Sequence, residues 1–478
     1  MRGSGVAGAK PARRPPDGLL DVAAMTFSAL DSRLLGPLFA TETMREVFSD
    51  RARLAAMLAA EVALARAEAL FGLVPEGLAA ALDAIDPDTL DFDALGRGTA
   101  LAGVPTIPFV KAVGARLPPE LEAAFHKGAT TQDIVDTALA LQMRRGLDLV
   151  AADADAILAA LTSLAERHRA TPQVGRTYGQ QAQPLSFGFT VAVWAAGIAE
   201  VAAGLPALRE AVLRASLGGP VGTLAALGRD GPAVADAFAE ELGLAPAPVA
   251  WHTRRASMLA TGAFLASLVG ALGKMATDVA DLCSTEIGEV AEPHLPGRGG
   301  SSAMPHKRNP VSATVILSAH AAAPGHLVTL AGSMAAAHGR PAGAWHAEWH
   351  ALPSLFGLAS GALAEARRLA EGLVVDPERM RRNLDATRGL LFADAVAARL
   401  TASLGRAGAH AMMERLAGRV REAGVMLREA VERDPDFAGR FSSADLDAAF
   451  DPGPSVAAAA GWIDRVTAEV ARVRATLT

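Results

Sequence analysis

Apolar positions in this chain fall at helical spacing, and in several runs the spacing persists beyond the length of an ordinary helix. The clearest run is 256–290. There Met258, Leu265, Leu268, Leu272, Met275, Val279 and Leu282 are separated by 7, 3, 4, 3, 4 and 3 residues. That is an a/d seam, the pattern by which a long helix packs in a bundle. Gly262, Gly270 and Gly273 lie in the same run, where they would let a neighbouring helix come close. Residues 132–169 contain no proline and one glycine, Gly146, and read as a second long helix. A third is expected over 184–216 with a kink at Pro206, a fourth over 312–339 bent or broken at Pro324, and a fifth over 353–373. Towards the N-terminus, Thr43 and Glu46 form a capping-box pair, Asp50 can cap the next segment, and Gly72 with Pro75 closes it. A turn-rich stretch follows to about Pro119, and the last hundred residues hold shorter helices broken by Pro435, Pro452 and Pro454.

Composition agrees with packed helices. Of 478 residues 51% are hydrophobic and only one is tyrosine. The length exceeds one compact core and implies two or three domains. A net charge of −6 argues against a nucleic-acid partner but leaves room for a local basic pocket. The single cysteine, Cys283, precludes an intrachain disulfide and reads as a small core residue in a reducing cytoplasm. No stretch is expected to reach the apolar length of a membrane span, so no membrane partner is expected either. Residues 1–20, with Lys10, Arg13 and Arg14 among three prolines, read as a disordered tail rather than a signal peptide.

The chemistry points to one segment. Gly299 and Gly300 precede Ser301-Ser302-Ala303-Met304-Pro305-His306-Lys307-Arg308-Asn309-Pro310. Glycine is costly and proline lacks a donor inside regular elements, so this is a loop. It offers free backbone N–H groups, fixed positive charge and a serine, the equipment for holding a carboxylate while a proton moves beside it. A second segment, 126–133, puts Thr130 and Thr131 at the positive start of a long helix, which suits a carboxylate. A third, 175–184, carries Arg176 and Tyr178, a phenol whose ordinary pKa near 10 makes it a weak acid-base group at neutrality. Tyr178 is expected to pack, with its hydroxyl on backbone. In a fourth, 340–353, Trp345 and Trp349 are expected to pack and Glu348 to pair with an arginine. The remaining histidines show no metal-ligand spacing, and neither metal nor cofactor is expected.

The segment 300–310 resembles the signature loop of the fumarase/aspartase superfamily, and 126–133 and 175–184 resemble two further regions of it. Members of that superfamily place a histidine where Tyr178 stands in adenylosuccinate and argininosuccinate lyases. The run from Gly343 to Pro353 is instead similar to the 3-carboxy-cis,cis-muconate cycloisomerase branch, as are Trp251 to Arg254 and Thr387 to Leu391. The resemblance implies an all-α, three-domain fold: an N-terminal helical domain over 21–121, a central bundle of five long helices over 122–373, and a C-terminal helical domain over 374–478. It implies a homotetramer whose sites are completed by different subunits. It also implies a cytoplasmic, cofactor-independent cycloisomerase acting on a small polycarboxylate. In that scheme Ser301 transfers the proton, Lys307 stabilises charge and Asn309 fixes the substrate or loop. Thr130, Thr131, Arg176, Ser302, Met304, Arg308 and Arg388 bind substrate. The rivals are another lyase of the superfamily, which would want the missing histidine, and a catalytically silent structural oligomer, which would not need the intact loop.

Overall fold

The computed structural model describes residues 26–437 and 442–477, so the tail expected over 1–20 lies outside the described residues. Helix α1 (Asp50–Leu70) starts at Ser49, whose Oγ accepts from Ala52 N at 3.2 Å. The short helix before it (Glu42–Val47) is capped by Thr41, which accepts from Met44 N at 3.3 Å. The caps are therefore Thr41 and Ser49, not Thr43 and Asp50. Thr41 and Ser49 have the extended backbone a cap needs, whereas the other two are already helical.

Helix α2 (Thr131–Arg167) is 37 residues long. An antiparallel hairpin of β1 (Pro172–Thr177) and β2 (Gln180–Ser186) follows, then α3 (Phe187–Ala202), α4 (Ala256–Leu282), α5 (Val311–Gly332) and α6 (Ala344–Gly372). Helix α5 packs on α4 and α6, α2 packs on α3 and α6, and α4 spans α3 and α6, which closes the expected five-helix bundle. Every residue of the α4 seam is buried. A Cβ at Gly262 would lie 2.4 Å from a methyl of Leu330 on α5, so glycine is what permits that approach.

Several expected boundaries move. The run from Pro184 is strand as far as Ser186, and the helix beyond it breaks at Gly204, with Pro206 in the first turn of Leu205–Val212. Helices α4 and α5 end earlier than expected, at Leu282 and Gly332. Helix α5 runs through Pro324, and α6 begins at Ala344 with Pro353 inside it. An interior proline costs roughly 3 kcal/mol. Around Pro353 the buried Ala351, Leu352, Leu355 and Phe356 supply packing that outweighs it.

The expectation about membrane length is also corrected. Phe187–Val212, Ala256–Leu282 and Val311–Gly332 are long and apolar enough to cross a membrane by length and composition alone. They are bundle helices, and less than half of their most apolar windows is buried within this chain, 33% in the case of α5. Cys283 is half-buried at the C-cap of α4 rather than in the core.

One continuous apolar core joins α1, the bundle and the last helix, α8 (Ala460–Leu477). A separate small core belongs to the segment containing α7 (Ala393–Ala423, interrupted at Gly405) and the short helices up to Ala449. The chain's end thus leaves the C-terminal cluster and returns to pack on α3 and α2.

Candidate active site

At the start of α2, Asp133 is fully buried and organises the neighbouring backbone. Its carboxylate accepts from the backbone N–H groups of Thr130, Gly218 and Gly219, each at 2.9 Å, and lies 2.6 Å from His252 Nε2. One side chain thereby fixes three loops.

A turn deeper, Arg255 Nη1 donates to Asp136 at 2.7 Å and Arg255 Nε donates to Glu348 at 2.9 Å. Trp345 Nε1 donates to Asp136 at 2.9 Å, and Gln132 Nε2 to Asp136 at 3.1 Å. Burial opposes the charge on Arg255, but Asp136 and Glu348 outweigh it and hold its pKa above the ordinary arginine value. Burial pushes Glu348 up, against the pull of Arg255. The expected partner of Glu348 is thus Arg255, and Trp345 packs as expected.

This rigid floor presents Thr130 and Thr131 at the positive end of a long helix. Thr130 Oγ1 accepts from Arg340 Nη2 at 2.7 Å, and Arg340 Nε is buried with no hydrogen-bond partner. A spare guanidinium donor beside a helix N-terminus is what a carboxylate satisfies. Arg340 was not among the candidate site residues. The available signal was a cation between Gly339 and Pro341, in a loop too irregular for a surface helix charge.

His126 precedes this cluster, with Nδ1 2.7 Å from Glu61 of α1. One turn pair further along α1, Glu68 is also buried. Burial first, then Glu61, pushes its carboxyl up to about 8, despite Lys127. Folding therefore favours the protonated Glu68. Its contribution is intact below the unfolded value of 4.5 and is lost as pH rises to about 8. Glu68→Gln removes that dependence. Its stability relative to wild type should improve by about 1.4 kcal/mol per pH unit across this window and level off above it. Thermal unfolding of both proteins at pH 5 and pH 8 checks this; parallel curves refute it.

The other half of the expected site hangs from the opposite end of the bundle. Arg298 and Ser312 Oγ both bond Glu365 of α6, while Glu292 accepts from Ser312 N at 3.0 Å and Ala313 N at 2.9 Å. These contacts pin both feet of the loop 299–309. Inside it, Gly300 bridges to Arg308, and Asn309 N donates to Gly299 O at 2.8 Å. Gly299 has φ +70, and a Cβ there would meet Asn309 O at 2.6 Å. Ser301 Oγ accepts from Met304 N at 3.1 Å, so Ser301 sits at the start of a tight turn. Ser302, Met304, Lys307, Arg308 and Asn309 are exposed.

Arg176 anchors the hairpin. It donates to the buried Glu289 at 2.8 Å, and Glu289 also accepts from Gln173 at 2.9 Å and Asn383 at 2.8 Å. This ion pair roots the hairpin, because an arginine beside a buried carboxylate is held there by the cost of leaving it unpaired. Arg388 is exposed on the turn after the helix Pro377–Asn383, which docks on β1. At the hairpin tip Tyr178 has φ +52 and is 103% exposed, so it does not pack as expected.

These two halves do not meet within one chain. Thr131 and the hairpin lie at opposite ends of α2, about 55 Å apart at 1.5 Å per residue. On α6, Trp345 marks the Thr130 end and Glu365 the loop end, separated by about 30 Å.

Comparison with known proteins gives consistent results. A family model described as Lyase matches residues 39–325, and one described as Adenylosuccinate lyase C-terminus matches residues 389–466. A nitrosuccinate lyase of Streptomyces davaonensis is 44% identical, covering 92% of this chain and 95% of that protein. A 3-carboxy-cis,cis-muconate cycloisomerase of Pseudomonas aeruginosa is 43% identical, covering 92% of this chain and 96% of that protein. The crystal structure of the 3-carboxy-cis,cis-muconate lactonizing enzyme of Pseudomonas putida superposes with a TM-score of 0.88 at 43% identity, covering 91% of this chain and 98% of that one.

Proposed function

The chain belongs to the lyase family of the fumarase/aspartase superfamily, and from that premise we propose that it interconverts 3-carboxy-cis,cis-muconate and its carboxymuconolactone. The observation that carries this reading is the Ser301–Asn309 loop, exposed from Ser302 onward, in a chain 43% identical to a cycloisomerase over nearly its whole length.

In the lactonising direction, a substrate carboxylate oxygen forms the new C–O bond at one alkene carbon. The π pair moves to the neighbouring carbon and onto the carboxylate attached to it. Ser301 Oγ–H then delivers the proton to that carbon and is reprotonated from solvent. The transient aci-carboxylate carries two negative charges, and donors already aimed at it lower the barrier. The loop N–H groups and Lys307 are the available donors. The Lys307 side chain is exposed on the loop, where it can reach a bound carboxylate. The nucleophile is already a carboxylate and needs no second base. That fits the exposed Tyr178 standing where related lyases carry a histidine.

The site is assembled between copies of this chain. Thr130, Thr131 and Arg340 of one protomer face the loop of another packed antiparallel, and the exposed apolar faces of α3, α4 and α5 supply the interface of a homotetramer.

Incubation with 3-carboxy-cis,cis-muconate should bleach its ultraviolet absorbance. The nitrosuccinate lyase at 44% identity supports a second reading, elimination from a nitro-dicarboxylate. Nitrite release from nitrosuccinate with no bleaching of the muconate would replace the first reading with the second.

A further inference from the structure

We propose that Glu365 on α6 is a positioning residue, whose buried carboxylate ties the two ends of the 299–309 loop together and so sets where Ser301 delivers its proton. The proposal rests on the proton-transfer role assigned above to Ser301, and it adds a residue that acts without touching substrate.

The loop cannot place itself. Residues 302–309 are exposed, and the internal bonds, the Gly300–Arg308 bridge and Asn309 N to Gly299 O, fix its shape but not its position on the bundle. Position is decided at the feet. Arg298, one residue before Gly299, and Ser312, two after Pro310, meet at one oxygen of Glu365. Arg298 Nη2 donates to Glu365 Oε2 and, at 3.1 Å, to Ser312 Oγ. Ser312 Oγ donates to the same Oε2 at 2.7 Å, so the three side chains close a triangle. Arg368 Nε, one turn along α6, lies 3.4 Å from Oε2 and steadies the carboxylate. Glu292 closes the base through the backbone N–H groups of Ser312 and Ala313, and Glu365 adds the reference to α6.

The surroundings show why such a tie is needed. A cavity of about 100 Å³, lined by Cys283, Glu292, Arg298, Arg308 and Asn309, lies at the root of the loop. Close-packed side chains would hold a loop by contact alone. Beside a cavity of this size, hydrogen bonds must do it. A buried arginine–carboxylate pair is a poor choice for stability, since apolar residues of similar volume often serve as well. It is a good choice for direction, because the planar guanidinium accepts few geometries. A misplacement of about 1 Å can cost about 10²-fold in rate. Ser301 has a short side chain and cannot compensate, whereas Lys307 sits on a flexible four-carbon stem that can.

Four proteins test this: wild type, Glu365→Gln, Ser301→Ala and the double variant. Glu365→Gln should lower kcat about 10- to 100-fold and leave KM within about threefold, with the oligomer intact. In the Ser301→Ala background the same change should cost less than about threefold, because there is no serine left to misplace. Losses that multiply, or Glu365→Gln turning over within threefold of wild type, would overturn the assignment.

Cys283, the only cysteine in the chain, supplies a readout that needs no turnover. It lines the cavity, and burial pushes its thiol up to about 11, so wild type should react slowly with iodoacetamide at pH 8. Glu365→Gln should speed that alkylation about tenfold or more, followed by mass spectrometry; equal rates would overturn the tie. If Glu365→Gln does not assemble, Ser312→Ala keeps the ion pair, removes only the bridging hydroxyl, and is read by the same two measurements with the same expectations. Wild-type turnover by Ser301→Ala would reject the proposed role of the serine, and the alkylation rates alone then decide whether Glu365 holds the loop.

Discussion

Ser301→Ala lowers turnover of the muconate by about 10³-fold, within the 10²–10⁴ range of a lost proton-transfer group, and leaves the oligomer and its unfolding temperature unchanged. Both halves of that expectation follow from the loop. Among the described residues Ser301 Oγ accepts only from Ala303 N and Met304 N, in a turn whose neighbours are exposed, so its removal leaves no buried donor unsatisfied. The loop's shape is set elsewhere, by Gly299, the Gly300–Arg308 bridge and the anchors at Glu292 and Glu365. A structural serine in this position would therefore be nearly silent. Activity within tenfold of wild type would move proton transfer to another group. A fall in unfolding temperature matching the fall in activity would mean that the variant is measuring folding.

The sequence made some of this legible and not the rest, for reasons that differ by segment. The α4 seam was readable because every apolar position in it is buried, so periodicity and packing coincide. The loop 299–309 was readable because its residue types exclude helix and strand. The hairpin was not. Its tip places Tyr178 and Gly179 at positive φ, a turn that ordinarily announces itself as Asn-Gly, and a tyrosine there hides it. Pro324 and Pro353 read as breaks because local rules count the lost hydrogen bond and cannot count burial by neighbouring helices. The anchoring of Arg176 was not legible because nothing nearby in sequence marks Glu289, more than a hundred positions on, as its partner. Arg340 was missed for the same reason: it acquires meaning only when Thr130 is brought to it by the fold. The separation of the two half-sites is also tertiary. Residue types said that Thr131 and Ser301 suit one substrate, the resemblance implied sites completed by different subunits, and helix length shows why one chain cannot bring the two together.

That separation leads to the second large effect. Arg340→Met and Ser301→Ala, each nearly inactive alone, should regain activity when the two proteins are unfolded together and reassembled. Arg340 belongs to the α2 start and Ser301 to the far end, so a site that draws them from different protomers can pair an intact arginine with an intact serine. Random assembly of equal amounts makes about one quarter of such sites native in a symmetric oligomer. The control is the double variant reassembled with wild type, and it distinguishes the two architectures. If each site is shared between chains, this mixture also gives about one quarter of the wild-type sites, because intact ends are again drawn independently. If each site lies within one chain, the single variants recover nothing and the control retains about half. Equal recovery from the two mixtures is the expected result, and zero against one half would exclude a site built across protomers.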